Sequence, residues 1–475
     1  MQVLMEFIDR SEELRRLRRL VTGQGGFGVV YGRRRIGKSC LLTRWCEECG
    51  GVYLVGDTSV ASVQRASFAE VLAERFPGFA DVVYPTWQSF LRALSERARL
   101  SNWHGPIIFD EFPYLVVSER ALPGIFQAWI DHEARDHGLL VVISGSSRQM
   151  MQGLVLEHDS PLYGRAQEIL KLAPLGAGYL PKVFGLSNPV DAVKAYSIWG
   201  GVPRYWEAAS SFGNEVDESL EALVFSPLGV FHEEVNFLLQ METPNAMGLR
   251  PYLDAVGMGA HRVSEIASRL QQTATSLSRP LGQLIELGLL RRDIPFGEDE
   301  KSSKRSLYVI SDPFCHFWFR IVAPRRSLFE GSTPELRRRL WHKWSNEIYA
   351  FQWEELARQM VSRLPRLAER LPSDDGWLPA RRWWRENHPE WDVVSVNSTG
   401  EIALLGEVKW SEKPFDENEL RALAHDMLYR EPPAGLPDRK VYALFVPSVE
   451  PGVKVPEDIC LVTGQELLDA TLDDK

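Results

Sequence analysis

The sequence predicts an α/β fold: a parallel sheet with helices on both faces, then helical text, a helix-turn-helix with a wing, and a last α+β region. Three observations carry this. Short apolar runs alternate with helical text as far as residue 147, as strands buried on both faces require. A glycine-containing loop, Gly32-Arg33-Arg34-Arg35-Ile36-Gly37-Lys38-Ser39, stands between the first such run and a helix. Towards the C-terminus, the stretches Trp391 to Val396 and Glu401 to Trp410 flank the polar turn Asn397-Ser398-Thr399-Gly400, the pattern of a hairpin.

Length and composition set the frame. At about 150 residues per domain, 475 residues imply roughly three domains. Hydrophobic residues at 44% and charged residues at 25% exclude a disordered chain and a membrane-embedded one. No window approaches the roughly 20 continuous apolar residues of a bilayer span. The N-terminal stretch meets Glu6 and Asp9 too early for a signal peptide. A cytoplasmic protein with no membrane partner is expected. Among the five cysteines only Cys46 and Cys49 lie close together, and with no second Cys/His pair at ligand spacing they read as reduced thiols rather than a zinc site. A net charge of -10 disfavours non-specific coating of nucleic acid, which needs surplus Lys and Arg. Local basic surfaces remain open.

The elements follow in order. Phe27 to Tyr31 is a strand, and Cys40 to Trp45 after the loop has helical apolar spacing. Val52 to Val55 is a second strand, with helices at Ser67 to Phe76 and Trp87 to Ala98. Pro106-Ile107-Ile108-Phe109 is an apolar strand ending in Asp110 and Glu111, and Leu139 to Ile143 is another ending in Ser144-Gly145-Ser146-Ser147. From about residue 175 to 247 the text turns helical, interrupted by Trp199-Gly200-Gly201-Val202-Pro203, and reads as a helical lid. Helices at Val263 to Leu270 and Ser276 to Leu287, then a hairpin from Leu290 to Ile310, outline a winged helix. The expected domains are a core at 1–175, a lid at 176–248, a winged helix at 249–325 and an α+β domain at 326–475.

The loop Gly32-x-x-x-x-Gly37-Lys38-Ser39 matches the P-loop pattern at every fixed position. Backbone N–H groups of Gly32, Arg33, Arg34, Arg35, Ile36 and Gly37, with Lys38, Ser39 and Cys40 opening the helix, form the expected phosphate cradle. Lys38 would reach the β/γ-phosphates and Ser39 would bind Mg²⁺. Asp110 supplies a carboxylate for the Mg²⁺ shell, and Glu111 a group able to orient or deprotonate the attacking water. ATP and Mg²⁺ are therefore the expected ligands. Ser146 and Ser147 have two open readings: a γ-phosphate sensor, or caps of the next helix. Arg165, in Pro161-Leu162-Tyr163-Gly164-Arg165, is a candidate transition-state cation acting on its own or a neighbouring subunit, or else a surface arginine.

Phe7-Ile8-Asp9-Arg10-x-x-Glu13-Leu14, the P-loop, Gly145-Ser146-Ser147, Pro161 to Arg165 and Gly200-Gly201-Val202-Pro203 together resemble the largely archaeal-type ATPase family within the AAA+/STAND group. The resemblance covers roughly residues 1 to 320. It implies an additional-strand P-loop core, a helical lid and a winged helix, with Pro203 against the adenine and the Asp9-Arg10 motif bordering the base.

The second helix of the helix-turn-helix offers Ser276, Ser278, Arg279 and Gln283 to a major groove. Residues 251–312 hold eight Lys/Arg against eight Asp/Glu, so strong duplex binding by this module alone is not expected. DNA contact and a structural role both stay open. In the C-terminal hairpin, a turn centred on Ser398-Thr399 pairs Val396 with Glu401 and Asp392 with Leu405, putting Asp392, Glu407 and Lys409 on one face. Two carboxylates so placed can hold a divalent ion, with Lys409 assisting the water and Glu354 completing the site. This order resembles the PD-(D/E)XK nuclease fold and implies a second Mg²⁺ or Mn²⁺ at Asp392 and Glu407. A structural Glu407–Lys409 salt bridge is the alternative. The function expected is a Mg²⁺-dependent ATPase that couples nucleotide state to DNA engagement or metal-dependent cleavage, with self-association open. Its rival is a signalling or defence switch whose last domains bind protein.

Overall fold

The computed structural model describes residues 8–21, 24–146, 148–155, 157–213, 215–242 and 246–472. They pack as two units: Ile8–Pro174 with Val202–Arg204, and Leu175–Gly201 with the chain from Tyr205 onward.

The first unit is built on five parallel strands, β1 (Gly26–Tyr31), β2 (Val52–Val55), β3 (Ile107–Asp110), β4 (Leu140–Gly145) and β5 (Glu168–Lys171), in the order β2-β3-β4-β1-β5. One strand, β4, stands between β1 and β3, the additional-strand arrangement the resemblance implies. β3 and β4 are buried along their whole length, which is why both read as unbroken apolar runs. One face packs on Phe68, Leu72, Trp87, Phe90, Leu94, Phe126 and Trp129, with Phe126 and Trp129 edge-on to Phe109 and Phe68 tilted against it. At about 25 cal/mol per Å² of apolar area, such rings supply much of this unit's stabilisation, and they hold the C-terminal ends of β1, β3 and β4 in fixed relation.

The second unit opens with helices, among them Pro189–Trp199 and Glu234–Glu242. Then come the helices Val263–Leu270 and Ser278–Glu286 and an antiparallel ribbon of β6 (Leu290–Asp293) and β7 (Leu307–Ile310), with Leu290 opposite Ile310. The Glu265 carboxylate starts the first of these two helices by accepting the N–H groups of His261 and Arg262 at 2.8 and 3.0 Å. A helix of 27 residues, Pro334–Met360, leads to a second sheet: β8 (Arg381–Trp383), β9 (Trp391–Val396), β10 (Ile402–Val408), β11 (Arg439–Val446) and β12 (Ile459–Thr463). β8, β9 and β10 are antiparallel, while β10, β11 and β12 run parallel. The helix Glu417–Tyr429 makes the crossover between β10 and β11. These five strands share none with the sheet of the first unit and form a separate C-terminal sheet domain.

One expectation is corrected. Val396 pairs with Ala403, not Glu401, so the register is displaced by two residues. The cause is Asn397, 1% exposed, whose carboxamide oxygen accepts the N–H groups of Glu401 and Ile402, both at 2.8 Å. The loop therefore runs from 397 to 401 instead of turning tightly at Ser398-Thr399. A displacement of two keeps every side chain on its face, and continuing the observed pairing of Val393 with Gly406 sets Asp392 directly opposite Glu407.

Candidate functional site

β1 delivers the chain into the glycine loop, and the loop ends at Gly37 with φ 91, a conformation that favours glycine, just before the helix Lys38–Cys49. Gly32 lies so close to Leu172 that an added Cβ would stand 3.0 Å from its carbonyl oxygen. The Lys38 ammonium is buried within the loop's curve and donates to the carbonyls of Gly32 at 2.9 Å and Arg33 at 3.1 Å. Arg35 has φ 67, Arg34 donates to the Tyr114 hydroxyl at 2.6 Å, and Ile36 is buried. Cys40, the third residue of the helix, is exposed.

Arg10 braces this loop. Its guanidinium is buried and donates to the carbonyl of Ile36 at 3.1 Å and of Ala173 at 2.7 Å, while pairing with Glu13 at 2.9 Å. The resemblance implies that the Asp9-Arg10 motif borders the base; the bracing of Ile36 by Arg10 had no sequence signal beyond that motif. Asp9 Oδ1 is buried and has no hydrogen-bond partner among the described residues.

The carboxylates at the end of β3 meet the loop as expected. Asp110, 2% exposed, accepts from Ser39 Oγ at 2.9 Å and from the Tyr53 hydroxyl on Oδ2, and from the Glu111 N–H at 2.9 Å on Oδ1. Tyr53, on the neighbouring β2, was not anticipated; burial and the adjacent Asp110 charge push its hydroxyl well above its ordinary range, so it stays a donor. Glu111 adopts φ 50 at the head of the helix Phe112–Ser118, and its carboxylate accepts the Ser146 hydroxyl at 2.6 Å. Ser146, at the end of β4, thus touches the expected water-activating group. Ser147 lies outside the described residues. Pro203 Cγ stands 3.6 Å from where a Cβ on Gly37 would be, so Pro203 adjoins the loop.

Arg165 is elsewhere. It makes a bidentate pair with Asp131, with Nε and Nη2 at 2.9 to 3.0 Å, and donates to the Pro161 carbonyl at 2.7 Å. With Gly26, Asp131 and Gln167 it lines a cavity at the N-terminal end of β1. β1 has six residues, so at about 3.3 Å per residue its two ends are roughly 17 Å apart. Action on its own subunit's γ-phosphate is therefore corrected: Arg165 faces away from its own loop.

In the C-terminal sheet Asp392, Glu407, Lys409 and Glu354 do come together. Lys409 Nζ is 2.6 Å from Glu407 Oε1, Arg430 pairs with Glu407 Oε2, and Asp392 Oδ2 accepts the Val408 N–H at 3.0 Å. Burial, then the Glu407 charge, raises the Asp392 carboxyl above its ordinary range; burial, then the Asp392 charge, raises Glu354. Yet both oxygens of Glu407 already carry cations, one of them Arg430, which the sequence did not flag. Among the described residues no group of three or more His, Cys, Asp or Glu is placed to hold a metal ion. The second Mg²⁺ or Mn²⁺ expected at Asp392 and Glu407 thus finds no support: the strand register brought the acids together, but a cation from the crossover helix end neutralises the one best placed.

With this geometry in view, the comparisons are direct. Residues 7–208 match the model of an ATPase domain predominantly from Archaea. This stretch, which holds the glycine loop, is thus similar to an archaeal ATPase domain. Residues 318–423 match a family of archaeal and bacterial proteins of unknown function. An uncharacterized protein of Methanocaldococcus jannaschii is 28% identical over 454 residues, 94% of this chain and 96% of that protein. The Walker-type ATPase of Pyrococcus abyssi superposes with a TM-score of 0.51 at 20% identity, over 66% of this chain and 96% of that one. The fold over that span is thus shared with a solved Walker-type ATPase. Among the described residues no helix is long and apolar enough to cross a membrane.

Proposed function

We propose that the chain binds ATP at Lys38 and hydrolyses it with Glu111 as the group that orients and deprotonates water, and that nucleotide state controls how the second unit engages DNA or a partner. The observation that carries this is the contact of Ser39 with Asp110 at 2.9 Å, which joins the phosphate loop to the acidic strand end. The residues fit the ligands. Mg²⁺ would be held by Ser39 and Asp110 and would neutralise phosphate charge. Lys38 would leave its carbonyl partners for phosphate oxygens, and Asp9 Oδ1 and Pro203 border the space beside the loop that a base would take. Glu111 is oriented by the Ser146 hydroxyl at 2.6 Å, a charge-assisted hydrogen bond that would hold the carboxylate in place for the attacking water. Arg165 serves a neighbouring subunit if it serves catalysis at all. The domain boundaries proposed are 1–175, 176–248, 249–325 and 326–475, with helices Val263–Leu270 and Ser278–Glu286 and the β6–β7 ribbon as a winged helix.

For the C-terminal domain, the two cations on Glu407 favour a nuclease-like fold that keeps its acids as a structural network and works by binding. The testing experiment is ATP turnover by purified protein with Mg²⁺ or Mn²⁺, with and without duplex DNA. Turnover that rises with DNA supports the DNA reading; turnover indifferent to DNA, with no cleavage products, supports protein partners.

A further inference from the structure

Asp110 is held by more donors than the phosphate loop accounts for. Its buried carboxylate accepts on Oδ2 from Ser39 Oγ at 2.9 Å and from the Tyr53 hydroxyl, and on Oδ1 from the Glu111 N–H at 2.9 Å. The Glu111 N–H comes with the backbone and the Ser39 hydroxyl with the glycine loop. Tyr53 belongs to neither motif.

It arrives from β2, at the edge of the sheet, by strand register. In the parallel ladder Tyr53 pairs with Ile108 and Val55 with Asp110. Val52 and Leu54 join the aromatic core together with Ile107 and Phe109, so Tyr53, Ile108 and Asp110 take the opposite face. Tyr53 therefore stands on the acid's own face, two positions short of it along the strand. Two residues of strand cover about 7 Å, a gap that a phenol crosses with its hydroxyl in front. Phenylalanine at the same place would fill the face and fall short of Oδ2.

Counting acceptors shows what the third donor does. For Ser39 Oγ to turn its lone pairs toward a cation, its hydrogen must point elsewhere, and Asp110 Oδ2 takes it. That works only while the carboxylate plane is fixed, because the last torsion of an aspartate is broad. The Glu111 N–H pins Oδ1 and Tyr53 pins Oδ2. Without the Tyr53 hydroxyl, Oδ2 is left with Ser39 alone, the group it has to orient.

Resting on the reading of Ser39 and Asp110 as the groups that hold Mg²⁺, we infer that Tyr53 is a positioning residue for the cation: its hydroxyl locks the Asp110 carboxylate so that Asp110 and Ser39 present their oxygens together. Partners that hold a metal's ligands in place are typically worth 10–100-fold in metal affinity.

The test is titration of the full chain with a fluorescent, slowly hydrolysed ATP analogue, once in EDTA and once in saturating Mg²⁺. The ratio of the two dissociation constants reads the cation's contribution to binding without any turnover. Wild type should bind more tightly with Mg²⁺, and Tyr53→Phe should shrink that ratio about tenfold. A ring that merely packed on the sheet would not move the ratio, since phenylalanine packs in the same way. In an Asp110→Ala background Tyr53→Phe should change the ratio no further, because the hydroxyl acts through that carboxylate. Wild type tightened by Mg²⁺ beside a Tyr53→Phe ratio equal to it would overturn the inference alone, and so would a full additional loss in the Asp110→Ala background. A wild type indifferent to Mg²⁺ would overturn the reading of Ser39 and Asp110 as its holders, and the role of Tyr53 with it.

Discussion

Arg10→Met tests whether the brace on the phosphate loop is as strong as its contacts imply. Methionine keeps the apolar stem and removes the guanidinium, so three contacts vanish: the carbonyls of Ile36 and Ala173 and the carboxylate of Glu13. The Arg10 side chain is 6% exposed and that of Glu13 18%, so water replaces little of what is lost. Hydrogen bonds from a charged donor contribute about 1.5–3 kcal/mol each, and truncating one partner of a buried ion pair costs about 3–5 kcal/mol in all. For a unit of this size, 1 kcal/mol moves Tm by about 2–4 °C, so the unit's transition should fall by roughly 10–15 °C. The Ile36 carbonyl also loses its anchor inside the loop, and ATP affinity should drop about tenfold. Scanning calorimetry with a fluorescent-nucleotide titration reads both. A Tm within about 2 °C of wild type with unchanged affinity would refute the reasoning.

The other predictions are briefer. Glu111→Gln should leave ATP bound while turnover falls by about 10²–10⁴, the usual contribution of a general base; a turnover loss under tenfold in a single-turnover assay removes Glu111 from that role. Arg165→Ala should leave ATP affinity unchanged and lower turnover only at concentrations where subunits associate, measured by turnover across a dilution series; a loss independent of concentration contradicts a role in trans. Asp392→Asn should raise the Tm of the second unit at pH 8: burial and Glu407 hold the Asp392 pKa above its unfolded value, so its ionisation penalises the fold above that pKa, and the gain should fade as pH falls towards the ordinary carboxylate range. A lower Tm at pH 8, or stabilisation of the wild type by added Mn²⁺, would contradict the structural reading of these acids. Glu355 has the opposite sign: its pKa is depressed in the folded chain, where Arg291 and Arg358 outweigh burial, so its contribution is present above the ordinary carboxylate range and lost as pH falls through the folded value. Glu355→Gln should therefore lower Tm at pH 7 and matter less in acid, as thermal melts across pH would show.

How much of this was legible depended on how local the signal was. The P-loop, β3 with its terminal acids and the ribbon β6–β7 are written in consecutive residues, and each formed where the pattern placed it. Parity along β9 and β10 put Asp392, Glu407 and Lys409 together even though the register was wrong, because the loop at Asn397 displaced it by an even number of residues. What failed was non-local. Nothing near Glu407 in sequence announces Arg430, which arrives from the end of the helix Glu417–Tyr429. Asp131 claims Arg165 from 34 positions away, and Tyr53 reaches Asp110 only because β2 lies beside β3. The pairing of a charged side chain is decided by topology, and a motif cannot show whether its acid will meet a metal or a guanidinium.

The most direct test of the central claim is steady-state ATP turnover by the purified full chain with Mg²⁺, measured beside Lys38→Ala. Wild-type protein should release phosphate, and the variant, lacking the ammonium that the loop now holds between the Gly32 and Arg33 carbonyls, should release none above the buffer rate and bind ATP more weakly. Equal turnover by the two proteins would contradict the account.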